Sequence, residues 1–122
     1  MQIRVVASAT HSIAPGDFAE APVEAIRKVV GKAGLKLHDI DLFEVNEAFA
    51  AVPLVAIKQL NIDPEKVNVN GGAVSIGHPI GASGGRLAAT VIRELKHRDA
   101  RYGVASLCIG GGEAVAALFE TA

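Results

Sequence analysis

Aromatic residues are nearly missing from this chain: tryptophan is absent, tyrosine occurs once and phenylalanine four times in 122 residues. Since half of the residues are hydrophobic, the core must be assembled from Val, Ile, Leu and Ala, the habit of a buried α/β sheet. Cysteine occurs once, at Cys108, which excludes an internal disulfide and favours a reducing compartment. There is no basic block and the formal net charge is -1, so neither nucleic acid nor an anionic membrane surface is expected as a partner. The longest apolar stretch, residues 48–57, is too short to cross a bilayer. The opening MQIRVVASAT lacks the long apolar segment and small-residue cleavage site of a secretory signal. These absences lead to the expectation of one soluble domain over residues 1–122, located in the cytoplasm.

What is present alternates between strand and helix patterns. Residues 3–9 are β-branched and small, and read as a strand. Pro22 suits the first turn of a helix that buries Ile26, Val29, Val30 and Ala33 and ends at Gly34. Residues 41–45 read as a second strand, and residues 48–60 as a helix apolar almost all round, with a kink at Pro53. Residues 67–70 read as a third strand. A third helix follows, with Leu87, Ala88, Val91, Ile92 and Leu95 on its apolar face. Residues 102–107 and 114–119 complete the pattern as an antiparallel hairpin.

The expected order is βαβαβαββ, a five-stranded mixed sheet with helices on both faces. Right-handed crossovers put the first two helices on one face. A return of the chain that lays the fourth strand beside the first puts the third helix on the other face.

Three polar segments fall at strand ends, where open α/β sheets bind ligands. They are Asn46-Glu47-Ala48-Phe49, the run from Gly77 through His78 to Gly84, and Cys108-Ile109-Gly110-Gly111-Gly112. His78 stands between a glycine that permits close approach and a proline that stiffens the turn. The glycines after Cys108 leave backbone N–H groups open to an oxyanion. Taken by residue type alone, Cys108, His78 and Asn46 match a Cys-His-Asn nucleophile set. The Gly-rich run has neither the Lys-Ser/Thr ending of a phosphate loop nor the spacing of a dinucleotide turn. Its small residues, with Ala88 and Ala89, point to close packing of the third helix against another backbone. Glu47 and Glu113 read as solvated carboxylates, and no His/Cys cluster has the spacing of a metal site.

The segments NEAFA, GGAVSIGHPIGASGGR and CIGGGEAVAALFE resemble, in order and spacing, three C-terminal signatures of the thiolases, the acetyl-CoA acetyltransferases. VVASAT resembles the start of that family's C-terminal domain, so the likeness runs over nearly the whole chain.

The resemblance implies a thiolase-type C-terminal domain, one of two similarly folded halves about a pseudo-dyad. It implies that His78 activates the nucleophilic cysteine and helps hold the thioester oxygen, and that Asn46 holds a water completing that oxyanion site. Cys108 would be the acid/base at the α-carbon of the second acetyl-CoA, and the N–H of Gly110 part of a second oxyanion site. Ala48 and Phe49 would border the pantetheine arm.

Coenzyme A thioesters are then substrates, no separate cofactor is expected, and the N-terminal half and a homo-oligomer are the expected protein partners. The acylated cysteine of the family belongs to the N-terminal half, and Cys108 already matches the other position. The isolated chain is therefore expected to be inactive. A ketoacyl synthase shares the fold but is not expected to carry NEAFA together with CIGGG. The rival from another class is a non-catalytic module that binds acyl-CoA or a protein.

Overall fold

The first strand, β1 (Ile3–Ser12), runs three residues further than its pattern indicates and forms one edge of the sheet. The computed structural model describes residues 2–122. After a 3₁₀ turn (Pro15–Glu20) come α1 (Ala21–Lys32), β2 (Leu42–Val45), α2 (Ala51–Leu60), the single turn α3 (Ala73–Ile76), α4 (Ile80–His97), β3 (Tyr102–Ile109) and β4 (Glu113–Thr121). Pro22 occupies the first turn of α1 as expected, where its missing N–H has no intrahelical partner to lose. Pro53 likewise falls in the first turn of α2, so it begins that helix and the expected kink is not needed.

Among the described residues the sheet has four strands in the order β1-β4-β3-β2, not the five expected. β3 and β4 form the antiparallel hairpin, β2 joins β3 in parallel, and β1 joins β4 antiparallel with a bulge between Val5 and Ala7. The last strand thus inserts beside the first, and β3 does not lie next to β1. Burial follows this placement: β1 is largely exposed, while β4 buries Ala114, Ala116, Leu118 and Phe119.

The expected strand at residues 67–70 is reduced to an isolated bridge between Phe43 and Val67. Asn68 adopts a left-handed backbone, φ 48°, that breaks the extended run. Its side chain then does what a strand backbone would have done. Oδ1 accepts from the N–H of Val45 and Nδ2 donates to the carbonyl of Val45, both at 2.8 Å.

Helices cover both faces, as the handedness argument requires. Ile26 and Val29 of α1 and Val52 and Ala56 of α2 pack with Val45, Val104 and Leu118 on one face. Leu87, Val91 and Leu95 of α4 pack with Leu42, Ala105 and Phe119 on the other. The close approach of α4 is made at Gly103 of β3, where a Cβ would stand 2.5 Å from Val91 Cγ2. The glycines of α4 play no such part within this chain. Gly81, Gly84 and Gly85 are exposed, and a Cβ on any of them meets nothing within 4 Å. Among the described residues no helix is long and apolar enough to cross a membrane.

Candidate active site

β2 delivers Asn46. Its N–H bonds the carbonyl of Ser106 at 2.9 Å, extending the β2–β3 ladder by one step before the chain turns toward α2. The side chain is 1% exposed, with Nδ2 at 3.3 Å from Nε2 and 3.4 Å from Nδ1 of His78. Its Oδ1 is buried without a hydrogen-bond partner, an arrangement that costs stability unless a further donor arrives.

Glu47 turns the other way and is not a solvated carboxylate. Its Oε2 accepts the N–H of Val74 at 2.9 Å and its Oε1 lies 3.4 Å from Asn68 Nδ2. It ties the β2–α2 turn to α3, which leads into His78. Gly77 takes φ 88°, a conformation that disfavours a side chain, and its carbonyl accepts from Arg86 Nη1 at 2.8 Å. Pro79 then caps α4, its carbonyl accepting the N–H groups of Ala82 and Ser83. The half-buried His78 ring is held from its other side by Ser83, with Nδ1 and Oγ 2.6 Å apart.

The hairpin delivers Cys108, paired with Ala114, followed by the glycine tip. Gly112 must be glycine for two reasons: φ is 88° and a Cβ would stand 2.3 Å from the carbonyl oxygen of Ile13. Its carbonyl accepts the N–H of Ile13 at 2.8 Å, which pins the tip to the segment after β1. Gly110 is open, with nothing within 4 Å of its would-be Cβ.

These pieces meet in a cleft of about 660 Å3, lined by His78, Cys108, Gly110 and Ala48 together with Phe18 and Ile80. A mostly apolar wall with a few convergent polar groups is the form of a small-molecule site. Asn46 reaches it through His78. Phe49 does not line the cleft. It is 64% exposed and stands edge-on to Phe18, their ring centroids 5.9 Å apart, so it backs the wall from outside.

Ser83 and Phe18 were not singled out from the sequence. Ser83 carried a signal, lying five residues after His78 in the first turn of the helix, whereas Phe18 sits in a turn without a motif.

Burial pushes the Cys108 thiol up from its ordinary value. Among the described residues no cation offsets this. Within this chain it is a protonated thiol at neutral pH.

The family model described as "Thiolase, C-terminal domain" matches residues 1–121. The chain belongs to the thiolase C-terminal domain family. It is 52% identical over 114 residues to the peroxisomal 3-ketoacyl CoA thiolase 1 of Petunia hybrida, covering 92% of this chain and 25% of that protein. It is 51% identical over 118 residues to the acetyl-CoA acetyltransferase of Shinella zoogloeoides, covering 97% of this chain and 30% of that protein. The human mitochondrial 3-ketoacyl-CoA thiolase superposes with a TM-score of 0.96 at 43% identity, over 98% of this chain and 30% of that one. The thiolase domain thus spans less than a third of the relatives it matches.

Proposed function

We propose that this domain supplies the C-terminal part of a thiolase active site, acting on coenzyme A thioesters by Claisen condensation and the reverse thiolytic cleavage. The observation that carries this reading is the convergence of His78, Cys108 and Gly110 on one cleft, with Asn46 behind the imidazole. An N-terminal domain supplies the nucleophilic cysteine, because the single cysteine here stands at the position that the family gives to the acid/base.

His78 takes the proton of the partner thiol. The thiolate attacks the acyl thioester, and the coenzyme A thiolate leaves. Asn46 and His78 face the oxyanion formed at this carbonyl, and the orphaned Oδ1 of Asn46 supplies an acceptor for a bridging water. Cys108 gives its thiol proton to the departing coenzyme A thiolate, and in condensation the Cys108 thiolate so formed removes the α-proton of a second acetyl-CoA. The resulting carbanion attacks the acyl-enzyme and expels the partner thiolate, while the N–H of Gly110 faces the second oxyanion. In cleavage, Cys108 returns that proton to the departing acetyl-CoA, a task for which a thiol kept protonated by burial is in the correct form. Ala48 lines the path of the acyl-CoA arm, and Phe49 supports it through Phe18. Coenzyme A thioesters are substrates, and the chemistry calls for no further cofactor.

The exposed Ile76, Ile80 and Val74 and the bare small-residue side of α4 form an assembly surface. The N-terminal domain covers it in the complete enzyme, and in its absence a second copy of this chain pairs there. The single cysteine accords with a reducing, cytoplasmic setting.

Mass spectrometry of the partner cysteine tests the division of roles in a complex with an N-terminal thiolase domain. Cys108→Ala should still allow acetylation of that cysteine while blocking condensation, and His78→Ala should impair both. A Cys108→Ala complex that cannot be acetylated overturns the assignment. Binding of acyl-CoA with no acetylation in the unaltered complex supports the rival, a non-catalytic binding module.

A further inference from the structure

We propose that Ser83 is a positioning residue for His78. It places the single proton of the neutral ring on Nδ1, so that Nε2 is presented bare and ready to accept a proton. The inference deepens the thiolase reading above and rests on it for its catalytic consequence, though not for the tautomer itself.

Ser83 is 0% exposed, in the first turn of α4. Its Oγ donates to the carbonyl of Pro79 at 3.1 Å and stands 2.6 Å from His78 Nδ1. A serine hydroxyl has one proton. With that proton directed at Pro79, Oγ meets the ring as an acceptor, and the hydrogen between them belongs to Nδ1. Nε2 is then unprotonated. Asn46 Nδ2, at 3.3 Å from Nε2 and 3.4 Å from Nδ1, is compatible with this arrangement but does not choose between the two nitrogens, so the tautomer is set by Ser83.

The consequence is an order of events. The proton of the partner cysteine passes to Nε2, leaving a thiolate and an imidazolium whose Nδ1–H stays on Ser83. Only after that transfer does Nε2 carry an N–H for the oxygen of the thioester. His78 therefore acts first as base and then as oxyanion donor, without turning its ring. A hydroxyl orients the ring without the charge that a carboxylate would add.

Ser83→Ala removes only the hydroxyl. The start of α4 stays anchored, because the backbone N–H groups of Ala82 and Ser83 bind the Pro79 carbonyl at 2.8 and 2.9 Å regardless. The test is a long-range ¹H–¹⁵N correlation spectrum of the imidazoles in the 122-residue chain at a pH where the ring is neutral, with His78→Gln to assign the signal. In the unaltered chain Nδ1 should give the protonated-nitrogen shift and Nε2 the bare-nitrogen shift. Ser83→Ala should average the two, and Ser83→Thr should restore them. A His78 protonated on Nε2, or an Ala variant with unchanged ring signals and an intact backbone spectrum, overturns the proposal.

In a complex with an N-terminal thiolase domain, Ser83→Ala should lower kcat about three- to tenfold, the worth of one neutral hydrogen bond, with KM unchanged. A change in KM alone would count against it. The spectrum needs no turnover, so an inactive complex would sink the thiolase reading while the tautomer assignment is still decided by the ring signals.

Discussion

The carboxylate of Glu47 fills the space in front of Gly72: a Cβ on that glycine would stand 2.7 Å from Glu47 Cδ and 2.9 Å from Oε1. The same carboxylate holds the N–H of Val74. One missing side chain therefore lets the turn after β2 clamp the segment that carries His78.

Gly72→Ala should displace Glu47 from Val74 and destabilise the chain by about 1–2 kcal/mol, the scale of one lost hydrogen bond with some local overpacking. With Glu47→Ala already in place the space is empty, and the added cost of Gly72→Ala should largely vanish. Urea unfolding of the two single variants and the double variant measures this coupling. Strictly additive losses would mean that the clamp does not exist.

A buried carboxyl carries a pH signature. Glu44 is 3% exposed, and its carboxyl is raised from 4.5 to about 7, first by burial and then by the neighbouring Glu47, with Arg86 opposing them. The folded chain thus holds this proton more tightly than the unfolded chain. Stability from this group is fully present below pH 4.5 and is lost as pH rises toward about 7. Glu44→Gln should remove that dependence and stabilise the chain at pH 8 on the order of 3 kcal/mol, with little effect at pH 4. Parallel denaturant titrations of the chain and the variant at several pH values check this. A variant that loses stability at pH 8 would show that the charged carboxylate is needed.

Much of this arrangement was legible before the structure. β1, α1, β2 and the β3–β4 hairpin follow from strand and helix periodicity. Cys108 and Gly110 lie at the end of β3 as expected, whereas His78 follows α3 and not a strand, and still meets them in one cleft. The misses have local causes. The sequence VNVN alternates as a strand does, but Asn tolerates the left-handed backbone, and the amide of Asn68 copies a strand's hydrogen bonds with its side chain. The insertion of β4 beside β1 depends on long-range pairing that no local pattern encodes. Glu47 read as solvated because its partners, Val74 and Asn68, lie more than twenty residues away in the chain.

Among the described residues Gly81, Gly84 and Gly85 of α4 have open space where a Cβ would stand, and Ile80 beside them is 84% exposed. At about 25 cal/mol per Å2, a few hundred Å2 of bare apolar surface is worth several kcal/mol to whatever covers it. The isolated chain should therefore sediment as a dimer. Ala89→Arg, on the exposed side of α4, should shift it to monomer or render it insoluble. A monomer at high concentration, or a dimer indifferent to Ala89→Arg, would contradict this use of α4.

In the proposed function, His78, Cys108 and Asn46 form one part of a thiolase site that is completed by a cysteine on another domain. Complementation measures it most directly: acetoacetyl-CoA cleavage by coenzyme A, assayed with the chain alone, with an N-terminal thiolase domain alone, and with the two combined. Each alone should be inactive, and the combination should turn over and lose that activity on His78→Ala or Cys108→Ala. Cleavage by the chain alone, abolished by Cys108→Ala, would contradict the account, as would a stable combined complex that shows no cleavage.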